Sequence, residues 1–358
     1  MYKGEEKVKK VLLMLLLICV IPIGYNVVYA LKQPVTNEKH SSEIFAMDTI
    51  MTLTAYGNRA DRAIELAKEE VKRLDKLLSS EGESSLIALI NSNNNSNKSS
   101  ELNRDAAVII KKALSVYDET RGAFDITVYP LMLEWGFISR EYKVPSKDRI
   151  DELLKIIGSD KIIFDNEKST VGFKEEGMAI DLGGIAKGYT SNSVIEIFKK
   201  AGVTSGIISL GGNVQTLGTR PDGSLWRVGI QNPLDLYGNL GVVTTSDKAL
   251  ITSGGYQRYF EKDGVVYHHI LNPKTGMPAN EGLISVTIVA DDGMLADALS
   301  TSLFVMGEEA ALDYWKNHND EFDAVLVRDD GSIIVTAGLK DNFESEHDFE
   351  VAYHDKDN

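Results

Sequence analysis

Residues 178–193 read MAIDLGGIAKGYTSNS. A β-like run ends at Ile180, an acid and a glycine pair follow, and Lys187 and Gly188 lead into a helix-like tail. Such a turn has two physical readings. One is a tight strand-to-helix connection, because glycine takes positive φ at no steric cost. The other is a phosphate cradle, with backbone N–H groups at a helix start facing an anion. Neither named phosphate fingerprint fits: Gly183, Gly184 and Gly188 do not make G-x-G-x-x-G, and Lys187 precedes its glycine.

Working outward, a helix is expected over 191–202 (SNSVIEIFKKAG) and a strand over 206–212 (GIISLGG). Upstream, EIFAMDTIMTLTAYG (43–57) alternates like one strand, and 59–79 has helical spacing with a charge lattice. NSNNNSNKSS (91–100) reads as a solvated loop, 106–122 and 147–158 as helices, and DKIIFD with STVGFK as a hairpin. Further on, 291–307 reads as a helix with Asp292 as N-cap and Gly307 as stop. Residues 308–317 continue as a helix and 323–336 as a hairpin. No inter-domain linker is visible between 44 and 340, and the acidic stretch 346–358 reads as a loose tail.

The N-terminus differs in kind. Lys7, Lys9 and Lys10 precede an apolar run from Val11 to Leu31. Residues 1–30 therefore read as a signal peptide, with Val28-Tyr29-Ala30 resembling a cleavage site, or as a retained membrane anchor. Cys19 suggests lipidation less well, because Ile18 stands where a small residue is expected. Residues 31–43 read as a linker, and in each case the body is expected outside the cytoplasm, associated with the membrane or secreted. Cys19 is the only cysteine, so the body offers no disulfide, thiolate nucleophile or cysteine metal site. The formal net charge of −15, from 38 basic and 53 acidic residues, argues against a nucleic-acid partner.

Several polar residues sit where chemistry could use them. Asp297 and Thr301 are four apart on the 291–307 helix and share a face. They could hold a hard cation such as Mg²⁺, or simply satisfy neighbouring backbone groups. His268 and His269 would point to opposite faces of a strand, one toward the core and one free for acid–base work. Asp125 at an apolar strand start needs a partner, and SLGGN (209–213) and SGGYQR (253–258) are glycine turns that let backbone approach a ligand. An oxygen-ligated cation, a phosphate-friendly loop and a histidine together point toward phosphoanhydride chemistry.

AMDTIMTLTAYG, GAFDITVYPL, AIDLGGIAKGY, SLGGN, SGGYQRYF, YHHILNPKTGMP and ADALSTSLFVMG occur in one order over roughly 44–340. In this the chain resembles the ApbE family, the FAD:protein FMN transferases. The resemblance implies an α+β fold, with mixed or antiparallel sheets flanked by helices, and two lobes around an FAD cleft in a domain over 44–345. It implies a Mg²⁺-dependent transfer of FMN from FAD to a threonine of an acceptor protein, with release of AMP. Carried over residue by residue, the metal site falls on Gly184, Asp297 and Thr301. FAD contacts fall on Met47, on Ala123, Phe124 and Asp125, on Asp181 and Lys187, and on Ile270 or Leu271. His269 or Asp181 would take the threonine proton. LLSSEGESSLIALIN (77–91) departs from the family pattern, with Glu81 near the place of an aromatic residue. The alternatives are an FAD pyrophosphatase and a flavin-binding protein without turnover.

Overall fold

The structure is a computed structural model that describes residues 37–82, 84–93 and 99–354. The expected leader and Cys19 lie outside the described residues, as do residues 94–98 of the expected 91–100 loop and the last four residues, while 91–93 of that loop end a helix. No helix among the described residues is long and apolar enough to cross a membrane. From Lys39 onward the chain forms one compact unit, and the expected cleft lies within it.

A nine-stranded sheet organises this unit. Its strands are β1 (Lys39–Ala46), β2 (Thr49–Tyr56), β3 (Gly206–Leu210), β4 (Asn213–Leu217) and β5 (Ala249–Gly254), then β6 (Leu283–Ala290), β7 (Phe322–Arg328), β8 (Ile333–Thr336) and β9 (Phe349–Ala352). Spatial order equals chain order, and every pair is antiparallel except β8 with β9. The sheet is thus mixed, as the α+β expectation requires. The helices are α1 (Ala60–Leu78), α2 (Leu86–Asn93), α3 (Arg104–Glu119), α4 (Tyr129–Glu134), α5 (Lys147–Leu154), α6 (Ala186–Ala201), α7 (Gly293–Met306) and α8 (Glu308–Asn317).

Both faces of the central strands are buried, and the side chains sort by parity. Val286 and Ile288 of β6 and Ala324 and Leu326 of β7 face the core that contains α3 and α7. Val289, Val325 and Val327 face a second core. That core is closed by a three-stranded sheet of Trp226–Gln231, Asn239–Thr245 and Phe343–Glu344. This explains why LISVTIVA and FDAVLVR are almost continuously apolar. Helix α7 is buried nearly all round and lies against β5 and β6. Helix α1 is amphipathic, with Ile64, Val71 and Leu74 inward, and packs on α6 and the first strands.

Several elements depart from the sequence expectation, each for a physical reason. The strand expected over 43–57 is a hairpin: Ala46 pairs with Thr49, and Met47 and Asp48 both take positive φ in a two-residue turn. Asp75 holds that turn by accepting a hydrogen bond from Met47 N at 2.8 Å. The run 178–180 joins no strand. Instead the Asn91 side chain donates to Ile180 O (2.9 Å) and accepts from Ile180 N (2.8 Å), supplying the pairing a strand would have given. Helix α6 starts at Ala186, earlier than expected, because Gly188 is accommodated inside it. Asp125 does not begin a strand but caps a 3₁₀ turn, Ile126–Val128, that runs into α4. The expected linker already contains the start of β1, and the expected loose tail contributes β9 to the sheet.

Candidate active site

A cleft of about 410 Å³ gathers residues from well-separated parts of the chain. On one side lies α7, where the Asp292 carboxylate caps the helix by accepting from Met294 N at 2.9 Å. One turn apart on this helix, Asp297 and Thr301 both line the cleft. Asp297 is only 4% exposed. Its Oδ2 accepts from Gly188 N at 2.8 Å and its Oδ1 from Asn213 Nδ2 at 3.0 Å. Thr301 Oγ1 lies 3.1 Å from Ser253 Oγ, which also bonds Ser300 Oγ at 2.8 Å.

The glycine-rich turn crosses in front of this helix. Asp181 N donates to Ile126 O at 2.8 Å, and Asp181 Oδ1 accepts from Gly183 N at 2.8 Å, closing a local turn. Gly184 packs so tightly that a Cβ there would stand 3.1 Å from the Phe124 ring and 3.7 Å from Thr301 Oγ1. Lys187 lies in the first turn of α6, with Nζ donating to Gly183 O at 3.3 Å. Gly188 permits the contact between α6 and α7: a Cβ would collide with the Gly293 carbonyl oxygen and stand 2.7 Å from Asp297 Cβ.

Ala123, Phe124 and Asp125 enter the cleft from the turn before α4. Asp125 is buried, and burial pushes its carboxyl up. Hydrogen bonds oppose that push: it accepts from Thr127 N (2.8 Å), Thr127 Oγ1 (2.7 Å), Ser159 Oγ (2.7 Å) and Ser159 N (3.2 Å). This is the partner set that its position in the sequence demanded, and it ties the 123–128 turn to residues 158–159. Met47 reaches the cleft at the tip of the first hairpin.

The two histidines do diverge. Tyr259–Lys262 and Val265–His268 form a separate hairpin, which ends at His268. His268 Nε2 bonds Ala279 O at 2.9 Å, and its ring meets Phe304 edge-on, so it belongs to the packing. His269 is half-buried and lines the cleft with Arg258. Its Nδ1 lies 3.1 Å from Arg258 O; a carbonyl accepts, so Nδ1 carries the proton and Nε2 keeps a lone pair. Burial pushes His269 down to about 4; the Arg258 carbonyl opposes this, while the charges of Arg258, His268 and Lys187 add to it. Ile270 and Leu271 follow on the same wall. Ile270 O accepts from Ala279 N at 2.9 Å, and Trp135 Nε1 donates to Gly276 O at 2.9 Å, anchoring the NPKTG loop.

Every site residue expected from the sequence therefore borders this one cleft. Sequence reading missed Asn213, Asp75 and Arg258, and gave Ser79 and Ser80 no role beside Glu81, though all line it. Asn213 and Arg258 did sit in the flagged SLGGN and SGGYQR turns, which drew attention through their glycines alone. Among the described residues no group of three His, Cys, Asp or Glu side chains could hold a metal. The oxygens at hand are the Asp297 carboxylate, the Thr301 hydroxyl and the neighbouring Gly184 backbone. That hard, sparse set fits Mg²⁺, which takes few protein ligands and completes its shell with water and phosphate oxygens. Both donors to Asp297 are neutral amides, which leaves the carboxylate able to meet a cation.

Residues 47–326 match the model of the ApbE family. An FAD:protein FMN transferase of Haemophilus influenzae is 30% identical over 288 residues, covering 79% of this chain and 82% of that protein. One from Treponema pallidum is 28% identical and covers 85% and 88%. Among solved structures, an ApbE protein of Thermotoga maritima superposes with a TM-score of 0.80 at 33% identity, over 85% of this chain and 99% of that one. A flavin transferase ApbE of Vibrio cholerae gives 0.77 at 25% identity, with the same coverage. The family match spans most of the folded unit and includes the turn, the strands and the helix that build the cleft, and the chain belongs to the ApbE family.

Proposed function

We propose that this protein is an FAD:protein FMN transferase that moves the FMN half of FAD onto a threonine hydroxyl of an acceptor protein and releases AMP. The observation that carries the reading is the juxtaposition of buried Asp297 with Thr301, Gly184, Lys187, Arg258 and a neutral His269 around one cleft. Relatives named for this activity support it.

In this reading FAD enters as substrate, with Met47, Phe124, Ile270 and Leu271 along its path. Lys187 and Arg258 bring positive charge to the pyrophosphate. The threonine Oγ attacks the FMN phosphorus, a new Oγ–P bond forms, and the anhydride P–O bond to AMP breaks. His269 Nε2 accepts the threonine proton. It is the better placed base, because Asp181 Oδ1 is already engaged by Gly183 N. Mg²⁺, held by Asp297, Thr301 and the Gly184 carbonyl, would neutralise pyrophosphate charge and favour AMP departure. The basic residues and apolar run before residue 31 support a body outside the cytoplasm, either anchored or released, where the acceptor would also lie.

The test is a product assay on the full chain with FAD and Mg²⁺, with and without an acceptor domain that carries the target threonine. AMP release together with an FMN-sized mass gain on that threonine is expected. AMP and free FMN with an unlabelled acceptor would make the protein a pyrophosphatase. Intact FAD in both samples would make it a flavin-binding protein.

A further inference from the structure

Strand β4 carries two buried amides on one face, Asn213 at 3% and Gln215 at 4% exposure. A buried amide costs about 1–3 kcal/mol when unsatisfied, so each needs a partner. Gln215 Nε2 donates to Asn192 Oδ1 at 3.1 Å, and Gln215 Oε1 accepts from Ser191 Oγ at 2.5 Å. Asn192 in turn donates to Asp292 Oδ1 (2.6 Å) and accepts from Gly293 N (2.9 Å). This network pins α6 to the start of α7. Asn213 does something different: its Nδ2 reaches Asp297 Oδ1 itself.

We propose that Asn213 is a positioning residue for the cation-binding carboxylate of Asp297, an inference that rests on the metal reading above. One donor on each oxygen fixes the plane of the carboxylate. Gly188 N takes Oδ2 and Asn213 Nδ2 takes Oδ1. The carboxylate therefore cannot turn about its χ2 without losing a bond, and its remaining lone pairs stay aimed where a cation would lie. The donors come from a strand and a helix that border the cleft. Asn213 follows the Gly211-Gly212 hairpin turn, in which both residues take positive φ, and Gly188 sits at the close approach of two helices. Removing a hydrogen-bond partner of this kind from a metal ligand typically lowers metal affinity about 10–100-fold.

The experiment titrates the full chain with Mg²⁺ at saturating FAD and no acceptor, and reads the melting temperature. Wild type is expected to gain stability with a defined Mg²⁺ midpoint. Asn213→Ala should raise that midpoint about 10–100-fold. Asn192→Ala breaks the neighbouring network that pins α6 to α7 without touching Asp297, so it should lower the melting temperature and leave the midpoint in place. Asn213→Ser serves if the alanine variant does not fold, because its hydroxyl is too short to reach Asp297. An unchanged midpoint in Asn213→Ala or Asn213→Ser, with stability lost as in Asn192→Ala, would reduce Asn213 to a structural amide and overturn the proposal. A wild-type protein that shows no Mg²⁺ response would overturn the metal reading itself, and the proposal with it.

Discussion

Asp297 is nearly inaccessible, yet both groups that touch its oxygens are uncharged. Truncating it to alanine removes the one carboxylate of the cation set. Mg²⁺-dependent AMP release should then fall by about 10³-fold, the scale of several kcal/mol of lost charge stabilisation. Gly188 N and Asn213 Nδ2 would lose their acceptor, at a stability cost of about 1–3 kcal/mol that a melt would register. Retained turnover would remove Asp297 from the metal site. His269 makes a prediction of opposite character. With its pKa near 4, the ring is neutral at every pH above that, so the rate should stay flat from pH 8 down to about pH 5. An acid limb near 6.5, the free imidazole value, would transfer the role of base to another group. The stability sign follows: the unfolded chain takes up a proton at His269 below about pH 6.5 that the folded chain refuses until about 4. The fold is therefore weakened as pH falls through that window. The Asp297–Thr301 pair was legible because one helix carries both residues a turn apart. Asn213 was not, since its partner lies 84 positions away and only the sheet brings the two together.

At the level of elements, the contact between α6 and α7 sets the distance from the glycine loop to the metal helix. Gly188→Ala would force Cβ into the Gly293 carbonyl and the Asp297 side chain, neither of which can move without shifting a helix. Overpacking of this kind costs about 1–3 kcal/mol, to be read as a lower urea midpoint. Transfer should fall further than the stability loss alone explains, because Gly184 and Lys187 move with α6. The same glycine explains why the helix start was misplaced from sequence, since a glycine inside a helix reads as a break. The other misread elements share a cause. Ala46-Met47-Asp48-Thr49 holds no glycine or asparagine, the usual signal for its geometry; a side chain from α1 holds the turn instead. Ile180 ends an apolar run that reads as a strand, but Asn91 supplies its backbone pairing from a distance. Tertiary hydrogen bonds, invisible in a local window, decided both.

For the whole molecule, the strand contributed by the last residues matters more than its acidity suggested. Strand β9 covers the edge of β8, whose residues Ile333–Thr336 are all buried. It also brings Glu350 to Arg328, which Glu308 grips from the other side. A chain ended at residue 345 would expose a row of unpaired backbone groups on an apolar strand. It should melt at a lower temperature and associate on concentration, as light scattering would show; a monomeric, equally stable product would mean that β9 adds nothing. Helices α7 and α8 and the hairpin of β7 and β8 were legible, because burial leaves long apolar runs bounded by turns. The tail was misjudged because its charges face solvent while its backbone does the pairing.

The sheet order has a further consequence, one of time. The excursions between neighbouring strands are unequal, and the longest falls at one junction: after Tyr56 the chain leaves the sheet and rejoins it only at Gly206. Closing an excursion of that length costs roughly 4 kcal/mol of chain entropy before any contact between β2 and β3 repays it. The excursion also carries the 123–128 turn and the glycine loop, while Asn213, Asp297 and Thr301 belong to the segment beyond it. A pocket that straddles the costliest closure cannot exist before that closure is made. On refolding from urea, quenching of FAD fluorescence should therefore return only with the slowest phase, after most of the helical signal has recovered. The flavin would report the last step of folding, which makes this cleft the part of the protein that any nascent or damaged chain acquires last and loses first.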